Sequence, residues 1–294
     1  MGHGIGEEAF VEAVPDAIYL LFAILTQLGD VWFYVLALTL AYALGETIDE
    51  DALSRERVAV VMAVALGAIA VSALLKETFA HPRPPGAGSL REIAWLPSIL
   101  VPLFADFATA DGFSLPSGHA TGSAATYGAA ALLLRYGRDR IRYLLAGLAV
   151  LVIAASRVVI GVHYLGDVLL GVLAGSAYLT IVYWATDRGA RVKRAFSLAV
   201  LVAAVGAAAH FSFETIAALG GALGGRVGWT LFGPRATEGT VTRREGTLAA
   251  AIAIPVGGGL VGAAYALDAP VSGFLGSALG IAVILSAPLV ARRR

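Results

Sequence analysis

Three short segments of this chain carry residue types that can grip and transfer a phosphate. The first is Lys76-Glu77-Thr78-Phe79-Ala80-His81-Pro82-Arg83-Pro84. The second is Pro116-Ser117-Gly118-His119, and the third runs Ser156-Arg157, then His163, then Asp167. Lys76, Arg83 and Arg157 supply charge-assisted donors, and a guanidinium can hold two phosphate oxygens at once. Ser117 is a good helix N-cap, Gly118 lets the backbone come close, and the free N–H groups of a first helical turn favour an anion. His163 and Asp167 are four apart, so on a helix they share a face. Asp167 can then accept a proton from one ring nitrogen of His163, leaving the other nitrogen free as a nucleophile. His119 is the remaining imidazole of the set and can protonate a leaving oxygen.

The elements that must position these residues are membrane helices. The chain has 294 residues, of which 58% are hydrophobic and only 14% charged, against roughly a quarter charged in a soluble domain. The mean hydropathy is +0.79. There is no cysteine, and 21 Lys plus Arg balance 21 Asp plus Glu. This composition excludes a disordered chain, a disulfide framework and a nucleic-acid binder working by bulk positive charge.

A span needs about 20 mostly apolar residues. Candidate spans fall at 14–29, 31–45, 58–79, 119–136, 141–157, 162–185, 195–211, 213–232, 247–267 and 271–291. The first is weak, because Pro15, Asp16 and the break at Gly29-Asp30 leave a short apolar run. The N-terminus carries Glu7, Glu8 and Glu12 and no early Lys or Arg, unlike the positive start of a signal peptide. Sixteen of the 21 Lys and Arg fall in alternate segments 46–57, 135–142, 187–194, 233–246 and the tail. By the positive-inside bias those segments and both termini are expected in the cytoplasm. The three chemistry-bearing segments then meet at the extracytoplasmic face of a multi-pass protein of the cell membrane.

These motifs are similar to those of the type 2 phosphatidic acid phosphatase (PAP2) superfamily, the membrane lipid phosphatases. The signature Lys-x6-Arg-Pro, Pro-Ser-Gly-His and Ser-Arg-x5-His-x3-Asp is matched in order without departure. The resemblance covers roughly residues 10–186. It implies a six-helix catalytic core, here residues 1–186. The apolar runs beyond it add about four further helices in a Gly- and Ala-rich extension, 187–294. The resemblance implies a phosphohistidine intermediate with no metal or other cofactor. His163 would be the nucleophile, Asp167 would orient it, and His119 would be the acid and later the base for water. Lys76, Arg83, Ser117, Gly118 and Arg157 would hold the phosphate. Asp106 and Asp111 do not add a recognisable metal-ligand spacing.

The expected partner is a lipid phosphate or diphosphate among membrane lipids, either an isoprenoid diphosphate or a glycerolipid phosphate. Two other readings remain. A lipid phosphotransferase would pass the phosphate to another lipid or glycan, and a transporter or scramblase would use the site only for binding. The stretch 80–118, with Trp95, Phe104, Phe107, Pro97 and Pro102, suggests an interfacial helix or lid. Glycines four apart, Gly220/Gly224 and Gly221/Gly225, support tight helix packing or a homodimer face. His3 and Arg226 are assigned no role in catalysis.

Overall fold

The computed structural model describes residues 7–292. His3, Arg293 and Arg294 lie outside that range. The chain is 77% helical, with no strand among the described residues. In a membrane this follows from backbone chemistry, because helices satisfy every N–H and C=O within one segment. The first two helices, α1 (Glu7–Ala13) and α2 (Asp16–Leu25), lead into a tight turn, Thr26–Gly29, and then α3 (Val31–Leu44). Next come α4 (Arg55–Phe79), a short α5 (Val101–Ala108), α6 (Gly118–Leu133), α7 (Asp139–Val159) and α8 (Leu165–Ala185). The extension holds α9 (Val192–Ala209), α10 (Phe213–Ala236), α11 (Arg243–Ile252), α12 (Gly259–Leu267) and α13 (Pro270–Arg292).

Among the described residues, six helices are long and apolar enough to cross a membrane unaided: α4, α7, α8, α9, the continuous α11–α12 unit and α13. The ten-span reading is revised: 119–136 and 213–232 form α6 and α10, which fall outside these six, and the first two segments merge. Segments 14–29 and 31–45 are two arms of one broken element, bent by 51° between Gly29 and Val31. Asp30 causes the break. It N-caps α3, its carboxylate accepting from Trp32 N–H at 3.3 Å, which satisfies a free donor of the new helix. The α11–α12 unit is widened into a π-helical turn over Ala253–Gly258. Pro255 within it has no N–H to give to the regular ladder.

Helix α4 is the hub. It packs against α6, α8, α9 and α10, while α10 pairs along its length with α13. The extension is therefore fastened directly to the helix that carries Lys76. Gly224 shows why α10 is glycine-rich: a Cβ there would stand 2.2 Å from the carbonyl oxygen of Ala278 on α13. The glycine steps read as a packing or dimer motif are thus filled from inside the chain.

Arg55 differs from the role of a cytoplasmic loop charge. It is buried, 3.3 Å from Glu46, and its guanidinium donates to the carbonyls of Tyr42 and Ala236. It clamps the ends of α3, α4 and α10. Removing one partner of such a buried pair costs about 3–5 kcal/mol, since it leaves the other charge uncompensated.

The 80–118 stretch contains one short apolar helical segment, Ser98–Ala108. Phe104 is buried against α2 residues such as Tyr19 and Leu20, and Trp95 is exposed. Arg91 ties the stretch down through Asp16 at 3.2 Å and the Val14 carbonyl at 2.7 Å.

Candidate active site

Local chain chemistry delivers each motif to one place. Helix α4 stops at Ala80, whose backbone is left-handed and whose N–H donates to the Lys76 carbonyl at 2.8 Å. The prolines at 82, 84 and 85 prevent continuation. Lys76 therefore sits in the last helical turn, where a cation suits the helix dipole. Ser117 caps α6, its hydroxyl accepting from Ala120 N–H at 3.4 Å. At Gly118 a Cβ would approach the Ser72 hydroxyl at 3.1 Å and the Lys76 ammonium at 3.8 Å. Any side chain there would enter the site. Helix α7 ends just past Arg157, and Gly161, at φ 76°, turns the chain back. The N–H groups of Val162 and His163 then both donate to the Arg157 carbonyl. That short return places Arg157 and His163 on the same cavity.

The cavity measures about 170 Å³. Lys76, Arg83, Gly118, His119, Arg157 and His163 all line it, so the three separate motifs converge. Asp30, Asp106 and Phe107 complete the wall. Asp167 and Ser117 are buried behind it. Among the described residues, no group of three or more His, Cys, Asp or Glu is placed to hold a metal ion.

His163 does not lie on a helix with Asp167. It precedes α8, and Asp167 is in that helix's first turn, where its carboxylate accepts from Tyr164 N–H at 2.9 Å. The carboxylate Oδ2 is 3.4 Å from His163 Nδ1. Ser114 stands between the two, 3.1 Å from Nδ1 and 2.5 Å from Oδ2. On the other side of the ring, Arg83 Nη1 is 3.0 Å from Nε2. A guanidinium can only donate, so Nε2 carries the lone pair and Nδ1 the proton. Nδ1–H then donates to the Ser114 hydroxyl, which donates to Asp167. The Nε2 lone pair is taken up by Arg83 at the cavity wall. Burial, reinforced by Arg157, Arg83, Lys76 and His119, holds the His163 imidazole well below its ordinary 6.5. Arg83 is brought down to about 10 by burial, against the opposing pull of Asp167 and Asp111. It keeps its charge at neutral pH, held by the carbonyls of Asp111 and Val162, both at 2.9 Å.

The broken N-terminal element supplies groups outside the motifs. Thr26 accepts from Arg157 Nη1 at 2.9 Å. Asp30 Oδ2 is 3.7 Å from His119 Nε2, which is buried and makes no hydrogen bond, as is Arg157 Nε. These two unpartnered buried atoms, set among three cations, suit a bound oxyanion.

Residues 57–191 match the family model described as PAP2 superfamily. The chain carries a PAP2 domain. All eight motif residues lie within the match, and the long apolar helices are those of a multi-pass membrane protein. Among solved structures, the chain is similar to a transmembrane PAP2 type phosphatidylglycerolphosphate phosphatase from Bacillus subtilis. The identity is 23%, with 62% of this chain and 83% of that one covered and a TM-score of 0.48. No curated protein matches. Thr26, Asp30 and the α10–α13 region all lie outside the matched PAP2 segment.

Proposed function

We propose that this protein hydrolyses the terminal phosphate of a lipid, an isoprenoid diphosphate or a glycerolipid phosphate, at the outer face of the cell membrane. The observation that carries the reading is the tautomer of His163. Its Nε2 lone pair accepts from Arg83 at the cavity wall, while Nδ1 is held by the Ser114–Asp167 pair.

The reaction takes two steps. A phosphate oxygen accepts from Arg83, releasing Nε2. Nε2 attacks phosphorus, a P–N bond forms, and the P–O bond to the lipid breaks as His119 delivers a proton to the leaving oxygen. Water then attacks the phosphohistidine, gives a proton back to His119, and the P–N bond breaks to release phosphate. Lys76, Arg83, Arg157 and the N–H groups at the start of α6 stabilise the charge on the equatorial oxygens. Asp167 acts through Ser114, supporting the charge that develops on the His163 ring. Asp30, 3.7 Å from His119 Nε2, favours the protonated ring that the first step needs.

The test is phosphate release by purified protein from prenyl diphosphates, phosphatidic acid and phosphatidylglycerol phosphate, with His163→Ala beside it. The reading expects release from at least one lipid and loss of release in the variant. Turnover near the wild-type rate in His163→Ala would sink the mechanism. Transfer of the phosphate to an added lipid or glycan in preference to water would favour the phosphotransferase. Tight binding with no release from any lipid would favour the transporter.

A further inference from the structure

Asp30 borders two cavities. On one side it lines the phosphate cavity with His119. On the other it stands at the end of a groove of about 630 Å³ between α3 and the α11–α12 unit. Apart from Asp30 and Thr39, the α3 side of the groove is apolar, with Val31, Val35 and Leu36. From Asp30 to Thr39 the lining follows α3 for about 13 Å, at 1.5 Å per residue. The opposite wall is Ile254, Gly258, Val261, Gly262 and Tyr265.

That wall is unusual within the extension. Gly224 on α10 and Gly257 on the π turn are closed by neighbouring helices, but a Cβ at Gly258 or Gly262 would meet nothing within 4 Å. Helix packing does not require glycine at either position. Their effect is to keep the groove open. α3 packs on α11 and on the π turn, and the groove runs on from there between α3 and α12 to Asp30.

We propose that this groove holds one hydrocarbon chain of the same lipid whose phosphate sits among Lys76, Arg83 and Arg157. The C-terminal extension is then the chain-selecting part of the substrate site. The inference rests on the lipid-phosphatase reading. The shared wall at Asp30 names the occupant: the groove and the phosphate cavity meet at that residue, and among the described residues the only carboxylate of the groove lies there. A lipid with its headgroup in the cavity can turn its chain there directly.

The experiment fills the groove. Gly262→Phe and, independently, Gly258→Leu put bulk into open space, and Gly147→Phe on α7, also with nothing within 4 Å, is the control. Phosphate release is measured from p-nitrophenyl phosphate and from phosphate monoesters of increasing chain length in mixed micelles. A photoactivatable long-chain lipid phosphate is crosslinked to each protein in parallel. The expected result is p-nitrophenyl phosphate turnover within twofold of wild type in all variants. Both groove variants should lose tenfold or more in kcat/KM for the longest chains, and Gly147→Phe should lose none. Wild type should be labelled on α3 or α12, with labelling lost in the groove variants. An equal loss at every chain length, or no loss, overturns the proposal. So does a change in oligomeric mass without a change in chain preference, which would give the groove to a second copy. Labelling of the groove without any lipid turnover would instead retain the groove and reject the phosphatase reading.

Discussion

The Ser114 hydroxyl lies between His163 and Asp167, 3.1 Å from the imidazole Nδ1 and 2.5 Å from the carboxylate Oδ2. The direct Nδ1 to Oδ2 separation is 3.4 Å. Most of the orientation of His163 therefore passes through the serine. Ser114→Ala removes the acceptor for Nδ1–H and leaves buried Asp167 with one donor fewer. A buried hydrogen bond to a charged group contributes about 1.5–3 kcal/mol, so kcat should fall about 10- to 100-fold with KM little changed. Steady-state kinetics of Ser114→Ala and Ser114→Thr check this, and Thr should restore much of the rate. Wild-type kcat in Ser114→Ala would show that Asp167 acts directly.

The pH profile follows from the direction in which His163 is shifted. Its neutral form is the nucleophile, and burial beside Arg157, Arg83, Lys76 and His119 disfavours protonation, with the Asp167 carboxylate 3.4 Å away on the other side of the balance. A lowered value means the neutral ring survives to more acid pH. The acid limb of kcat/KM should thus fall below pH 6.5, the ordinary histidine value. Arg83, at about 10, should stay charged through the neutral range. An acid limb above pH 6.5, measured on a soluble phosphate ester, would contradict this placement.

Asp30 can be tested without dismantling α3, because Asn is as good an N-cap as Asp. Asp30→Asn removes the charge 3.7 Å from His119 Nε2 and keeps the cap to Trp32 N–H. The expected outcome is an unchanged melting temperature with kcat reduced about tenfold, or about 1.4 kcal/mol of barrier. An unchanged kcat would limit Asp30 to capping.

Much of this site is legible in the sequence because its chemistry sits in fixed local spacings. Lys76 and Arg83, Ser117 to His119, and Arg157, His163 and Asp167 are each set by a helix end, and helix ends announce themselves through Pro, Gly and capping residues. Thr26 and Ser114 carry no such signal, and the capping signal at Asp30 says nothing of His119. Asp30 reaches His119 only through tertiary packing across 89 positions, and the break at Gly29-Asp30 reads as a weak span until its partner is seen. Ser114 is a polar residue in a loop until Asp167 lies beside it. Arg55 shows the reverse error. Its position in a connecting segment resembles an ordinary loop charge, and only the approach of Glu46 and the Ala236 carbonyl turns it into a buried clamp.

Gly118→Ala probes the phosphate floor. The added methyl would stand 3.1 Å from the Ser72 hydroxyl and 3.8 Å from the Lys76 ammonium. The helix itself tolerates Ala, the best helix former. Loss should therefore appear in anion binding, as a KM and an inhibition constant for inorganic phosphate raised about tenfold, with folding intact. Unaltered phosphate inhibition would place the anion elsewhere.

The central claim is that His163 Nε2 takes the phosphate. Rapid-quench reaction of the purified protein with a radiolabelled lipid phosphate, followed by peptide mapping, tests it most directly. The account predicts an acid-labile, base-stable phosphohistidine on His163, absent in His163→Ala and accumulating in His119→Ala with an activated leaving group. Label on His119, or full turnover with no phosphoenzyme at any quench time, would contradict it.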